Sequence, residues 1–412
     1  MSNTTLTADI IASEAVGILE NNIVMGDLVY RGYEEDFTKS VNGYTVGESI
    51  SIRRPNDFTV RDGAVAAVQD VTEGKFSLSV DKQKGVDFKF SSADLTLHIK
   101  NLSERVIKPA MVQLANQVDR DLMALYKDVW NWVGTPGQAV NSFADFAKAP
   151  ERLDLGAVPQ EDRSAVMSPT DQWAMLGSQT ALYMQDVAKD AYRRGKLGMI
   201  GNIDTYSSQN VQTFTAGTRD NTTPLVKGTQ STTWAATKDT GTMSLSTDGW
   251  DASVTIKQGD VFTIDLVFAV NPVTKATLPH LQQFVVMADV TANGTTTTDS
   301  PLVISPPIIT SGAFQNVSAA ALDNATITIM GTASTGYSQN IVFHKNAFAL
   351  VMVPMVKPPG AAEVARKTMN GYSVRVIPVY DGINDHSMWR LDILYGVKTV
   401  DARLATRLSG TA

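Results

Sequence analysis

Residues 369–410 read MNGYSVRVIPVYDGINDHSMWRLDILYGVKTVDARLATRLSG. Tyr372, Val374, Val376 and Pro378-Val379-Tyr380 make one alternating run, Asp381-Gly382 turns the chain, and Met388 to Val397 makes the next. Val400 to Leu408 forms a last run. Alternation of period two predicts strands with one buried face. Such strands need partners, and the nearest candidates stand at the other end of the chain. Residues 28–92 also read mostly as β: Val46 to Ile52, then Phe76, Leu78 and Val80, then Val86, Phe88 and Phe90. Between them, Pro55 to Gly74 reads as polar and mobile, so these strands make a long hairpin that buries little by itself. The pattern predicts that the C-terminal strands return to this hairpin and join the first and last thirds of the chain in one domain.

Helical spacing frames this sheet. Thr7 is a candidate N-cap for an amphipathic helix over 7–25, with Ile10, Ile11, Ala15, Ile18, Leu19 and Ile23. It either packs on its own core or lies as an arm on a neighbouring subunit. The strongest signal covers 101–131, with Leu102, Val106, Ala110, Leu114, Val118, Leu122, Leu125 and Val129 three or four apart. Asn101 and Glu104 suit a capping box, and Pro109 either kinks this helix or starts a second one. From Pro109 to Asn131 the helix would run about 35 Å at about 1.5 Å per residue. Residues 138–204 mix helices (143–154, from Pro169, and 186–194) with a strand at Ser164 to Ser168.

The composition then changes. Of the 119 residues from Thr218 to Gly336, 24 are Thr and only 14 are charged. Short alternating runs recur (Met243 to Ser246, Ser253 to Ile256, Val261 to Phe268, Phe284 to Val290, Leu302 to Ile304, Ile327 to Met330), which predicts an all-β module of barrel or sandwich type. It starts and ends at Gly217 and Gly336, so it reads as an insertion into a mixed α/β domain. Ile341 to Val353 resumes as an apolar strand, and Ala361 to Thr368 as a short helix.

The chain carries few residue patterns suited to chemistry. The chain has 412 residues, 19% of them charged, a formal net charge of −7 and no block of five or more like charges, which argues against a broad electrostatic grip on nucleic acid. No Cys is present, which removes disulfides, thiolate metal sites and cysteine nucleophiles. Residues 1–22 show no secretory leader, and the most apolar stretch, Ala347 to Val356, is too short for a membrane span and holds Pro354. His98, His280, His344 and His386 stand apart from metal-ligand spacings, and no Gly-x-Ser-x-Gly elbow exists. Gly195, Gly198 and Gly201 match no phosphate- or dinucleotide-binding pattern. Asp119, Arg120 and Asp121 read as a solvated helix face, and the Asn-x-Ser/Thr triplets at Asn221, Asn293 and Asn324 as chance. No catalytic site, cofactor or metal is expected. What remains is architectural: a subunit with projecting parts that neighbours would bury.

Taken together, the sequence resembles the tailed-phage major capsid proteins of the Hong Kong 97-type fold, an α+β class, and is most similar to the P22-like podoviral coat proteins. The resemblance rests on GDVFTI at 259–264, VFAVNPVTKATLPHLQQFVVMADVTANG at 267–294, Leu114-Ala115-Asn116-Gln117-Val118, and the ending at 369–410. It implies an N-terminal arm (1–41), an extended loop (42–92), a spine helix with the first part of a peripheral domain (93–137), an axial domain (138–216 and 337–365), an inserted barrel-like β domain (217–336) and peripheral C-terminal strands (366–412). It further implies hexamers and pentamers of the chain itself, forming an icosahedral virion shell that encloses double-stranded DNA. A scaffolding protein, a portal and procapsid expansion follow, with assembly in the host cytoplasm and neither membrane nor cofactor. A phage tail or receptor-binding adhesion subunit is the alternative. Within this frame the hairpin lies over an adjacent subunit, Arg53, Arg54, Asp57, Arg61 and Asp62 offer it charge pairs, and Pro109 is the hinge of the spine.

Overall fold

The C-terminal strand His386–Thr399 pairs antiparallel with Lys82–Ser91 over ten residues, from His386 opposite Ser91 to Tyr395 opposite Lys82. The expected return of the chain end to the early hairpin is therefore present. The computed structural model describes residues 8–38, 40–41, 44–45, 48–61, 63–66, 68–91, 103–179, 198–219, 224–293, 299–358 and 364–411. Thr7, Val46, Asp62, His98, Asn101, Leu102, the expected helix at 186–194, Gly195 and Asn221 lie outside them. The chain divides into two units, 1–51 with 77–123 and 348–398, and 52–76 with 124–347 and 399–412.

In the first unit the sheet runs Phe348–Met352, His386–Thr399, Tyr372–Asp381, Ala365–Met369, with Lys82–Ser91 also on the long strand. Gly396 is needed there, because a Cβ would collide with the Ser79 carbonyl. The short helix expected at Ala361 to Thr368 is corrected: Ala365–Met369 is a strand, paired with Tyr372–Asp381 across Asn370-Gly371. Both turn residues have positive φ (47° and 82°), as a tight two-residue hairpin requires. Helix Ala8–Asn22 buries Ile11, Ala15 and Leu19 against this hairpin and the spine helix of its own chain, so the reading as packing on its own core holds for this helix; Ile10 stays 44% exposed.

The spine is shorter than the spacing suggests. A wide π-turn, Ser103–Ile107, precedes an α-helix Lys108–Met123, which tightens into a 3-10 turn at Ala124–Asp128. Pro109 is the second residue of this helix and follows the π-turn directly, so its missing N–H leaves the run of helical hydrogen bonds one donor short at the junction. The buried stripe of Ala110, Met111, Leu114, Ala115, Val118, Leu122 and Met123 includes one carboxylate, Asp119. The solvated-face reading is thus corrected for Asp119, which is 1% exposed. Its Oδ2 accepts the Val24 N–H at 2.8 Å, and its Oδ1 accepts those of Met25 (3.1 Å) and Gly26 (3.2 Å). A carboxylate thus caps the short helix Met25–Leu28 from a different helix. Neighbouring Asp121 accepts the Tyr395 hydroxyl at 2.9 Å and pairs with Lys82 at 3.3 Å.

The second unit holds two cores. A six-stranded sheet runs Trp132–Val133, Ala405–Leu408, Asn340–His344, Arg163–Met167, Ile203–Ser207, Met199–Ile200, with helices Phe143–Leu155 and Pro169–Gln179. Phe146, Leu153, Met175, Val342 and Leu408 pack in its core. The last strand departs from the sequence-based boundary at 366–412: Ala405–Leu408 belongs here, not to the C-terminal sheet. Arg407 explains part of this placement. It is fully buried, with its guanidinium 5.2 Å and 5.5 Å from the ring centroids of Tyr126 and Trp132, and it donates to the Gly259 carbonyl at 2.8 Å. Burial pushes it down to about 10.

The Thr-rich segment supplies a five-stranded antiparallel sheet, ordered Met243–Leu245, Leu302–Ser305, Thr277–Val286, Val261–Val270, Ile327–Ile329. Its core of Leu245, Trp250, Phe262, Ile264, Phe284, Val286 and Ile304 is separate from the first. Thr213–Thr215 pairs with Gly336–Ser338 and brings the two ends of the segment together. The Gln283 carboxamide receives the Trp132 N–H and donates to the Trp132 carbonyl, both at 2.8 Å, replacing a backbone partner.

Asp119 yields a test. Burial raises its carboxyl from 3.8 to about 6, more than its three N–H donors lower it, and Asp27 adds to the rise. A raised folded-state pKa stabilises the protein fully below about pH 4, and that contribution is lost as pH rises past about 6. The interval corresponds to about 3 kcal/mol. Across pH 4.5 to 7.5 the urea midpoint of the wild type should fall relative to that of Asp119→Asn; parallel pH profiles for the two proteins would sink the assignment.

Candidate assembly surface

Ser49–Arg53 and Lys75–Ser79 pair into the stem of a hairpin, and residues 54–74 form the loop beyond it. The loop is tied across by one side chain: Thr59 N–H donates to Gln69 Oε1 at 2.9 Å, and Gln69 Nε2 donates back to the Thr59 carbonyl at 2.6 Å. The expectation of a polar middle is corrected. Phe58, Val60, Val65, Val68 and Val71 are 60–97% exposed, the densest run of exposed large apolar side chains among the described residues. The signal was available in the sequence, since three of these valines recur at every third residue.

The described charged candidates have partners within the chain. Arg53 pairs with Glu73 at 2.7 Å across the stem and is strongly exposed. Arg54 donates its N–H to the Gly74 carbonyl at 2.8 Å and its guanidinium lies over Gly241. Burial lowers its pKa against the pull of Asp401. Asp57 meets Arg403 at 3.4 Å. Arg61 donates to the carbonyls of Gly63 and Val65 within the loop. Asp401 lies beside Arg403 at 2.7 Å; its charge, partly offset by burial, holds the Arg403 guanidinium above its ordinary value. The structure thus gives every described candidate an intrachain partner, and the apolar run faces outward.

Among the described residues no group of three or more His, Asp or Glu is placed to hold a metal, and no helix is long and apolar enough to cross a membrane. Burial, then the charge of Arg152, pushes His280 down to about 4; burial likewise lowers His344.

A capsid-forming subunit is the class that fits this combination of a projecting loop, a spine helix, a returning sheet and a β-rich segment with its own core. The sequence matches the family described as "P22 coat protein - gene protein 5" over residues 1–407, and the chain belongs to that family. No curated protein sequence matches it. Among solved structures it is similar to a chain of Mycobacterium phage Che8, with a TM-score of 0.50 and 15% identity over 93% of this chain and 90% of that one. It also matches the capsid of Ralstonia phage GP4 (0.44, 10%, covering 93% and 86%) and the mature capsid of bacteriophage PhiM1 (0.41, 13%, covering 89% and 82%). The fold is the α+β Hong Kong 97 type. The protein is a structural capsid protein of a tailed-phage virion, not an enzyme, and it assembles with copies of itself.

The loop contacts differ in weight. The exposed Arg53–Glu73 pair should contribute below about 1 kcal/mol, so Arg53→Ala should barely move the thermal midpoint of the unassembled subunit. Arg403→Ala removes the partner of both Asp57 and Asp401 and should lower it measurably. Equal midpoints for the two variants would contradict this ranking.

Proposed function

We propose that the chain forms hexamers and pentamers of an icosahedral head that encloses double-stranded DNA, through a procapsid that expands, with assembly in the host cytoplasm. A scaffolding protein and a portal complete the assembly. The inserted barrel-like domain at 217–336 steadies the subunit and contacts neighbours, and the extended loop at 42–92 lies over an adjacent copy. The observation that carries this reading is the exposed apolar run Phe58 to Val71 on a projecting loop: a subunit that repeats hundreds of times has a partner for it in every neighbour. The candidate charges Arg53, Arg54, Asp57, Arg61 and Asp62 act at this contact as its polar rim, and no single pair dominates it. Weak individual contacts let misplaced subunits leave.

Purified protein should yield closed isometric particles by negative-stain microscopy, and deletion of 56–72 should leave folded subunits that close none. Normal particles from the deletion would overturn the role of the loop; small rings, trimers or fibres from the intact chain would point to a tail or adhesion subunit instead.

Pro109 is the proposed hinge, at the junction of the π-turn Ser103–Ile107 and the α-helix. Pro109→Ala restores a donor there and should stiffen the junction, which slows expansion followed by time-resolved scattering. Expansion at the wild-type rate would remove Pro109 from the mechanism.

A further inference from the structure

The loop is not a free arm, because a turn of the Thr-rich segment holds both of its limbs. Trp234 opens the short helix Trp234–Thr237. Its indole stacks on Phe314, with ring centroids 3.7 Å apart and planes 9° from parallel. The indole Nε1–H donates to the Thr72 carbonyl at 2.8 Å, a separation of 162 residues. Three residues on, the Lys75 N–H donates to Asp239 Oδ1 at 3.1 Å. Between these two points the backbone runs so close to the turn that a Cβ on Gly74 would collide with the Lys238 carbonyl. The Lys238 ammonium and the Lys75 N–H together hold the Asp239 carboxyl below its ordinary range. The outgoing limb is held at Arg54, over Gly241, and at Asp57, by Arg403. An open cleft of about 300 Å³ beside these anchors is lined by Phe58, Val71, Trp234 and Phe314, with Phe58 and Val71 still 60% or more exposed.

Each anchor lies on residues 54–57 or 72–75, and none on the apolar run between them. The loop is therefore gripped at its base and presents its apolar part already extended. A segment ordered before it meets a partner loses less entropy on binding and binds with less delay. We propose that the turn Trp234–Asp239, with Phe314, is an intrachain seat that presets the loop for a second copy of the chain. This rests on the reading of the loop as a subunit contact, but the seat itself is measured in the unassembled subunit.

The double variant Trp234→Ala/Asp239→Ala of the full chain should exchange the amides of Arg54 and Lys75 at least tenfold faster than wild type. Trypsin should cut faster at Arg61, with protection in Val261–Val270 unchanged. Its particles should close about tenfold more slowly by light scattering and look normal at the end. The milder Trp234→Phe keeps the stacking surface and loses only the N–H donor; it should fall between wild type and the double variant. Unchanged exchange at Arg54 and Lys75 in the double variant overturns the seat. Faster exchange with wild-type closure rates overturns its role in presetting the contact. Normal particles from the 56–72 deletion would instead overturn the loop as a contact and leave the exchange result standing.

Discussion

The ladder between Lys82–Ser91 and His386–Thr399 is the constraint on which the rest of the chain depends. It joins strands about 300 residues apart, at a loop-closure cost of about 5 kcal/mol. Ten paired residues, with Leu391, Ile393 and Tyr395 fully buried on the long strand, offset that cost. Because the ladder must close, residues 92–347 form one excursion that leaves this sheet and comes back to it at Phe348–Met352. A long insertion is tolerated within such an excursion because closure entropy grows only slowly with length. The pairing of Thr213–Thr215 with Gly336–Ser338 repeats the same device on a smaller scale.

Polar groups on the loop and in the cores serve geometry more than net stability. Asp119 supplies a cap that the chain cannot provide locally, since Val24 stands at the N-cap position and its side chain has no acceptor. Gln283 takes the place of a backbone partner for Trp132, and Arg407 fills the space between two aromatic rings. Each fixes where one segment meets another, at the expense of burying a polar or charged group. On the loop, the described charges pair with the chain's own residues, and large apolar side chains stand exposed beside them.

Much of the architecture was legible because the periodicities are clean. Alternation in 372–397 and 76–90 marks strands, of which Lys82–Ser91 and His386–Thr399 are partners, and the stripe Ala110 to Leu122 marks the spine. The collapse of charge across 218–336 marks a separate core. The misreadings have local physical causes. Ala361 to Thr368 carries good helix formers, yet Asn370-Gly371 just beyond them accepts positive φ at both positions, and the turn decides the pairing. Asp119 belongs by type to a solvated face, and only its partner, 95 residues away in sequence, explains its burial. Arg407 looks like an exposed member of a short alternating run, and nothing local announces the Tyr126–Trp132 pair that covers it. The valines at every third residue in 65–71 were visible but fit neither the helix nor the strand template.

The absence of Cys and the low charge of the Thr-rich segment bear on durability. In the proposed assembly, a shell of Cys-free subunits would draw its strength from many small burials. Fully burying a Val or Phe is worth about 1.5–3 kcal/mol, so in the proposed loop contact partial cover of the five exposed side chains from Phe58 to Val71 would hold a subunit that can still leave. Such a contact corrects errors only if the loop arrives in the same shape each time. A floppy loop would spend most of that burial on its own ordering, whereas one gripped at residues 54–57 and 72–75 keeps it for the neighbour. In the proposed contact the grip at the base and the exposed apolar run are one design: the first would make the second strong enough to hold and weak enough to release.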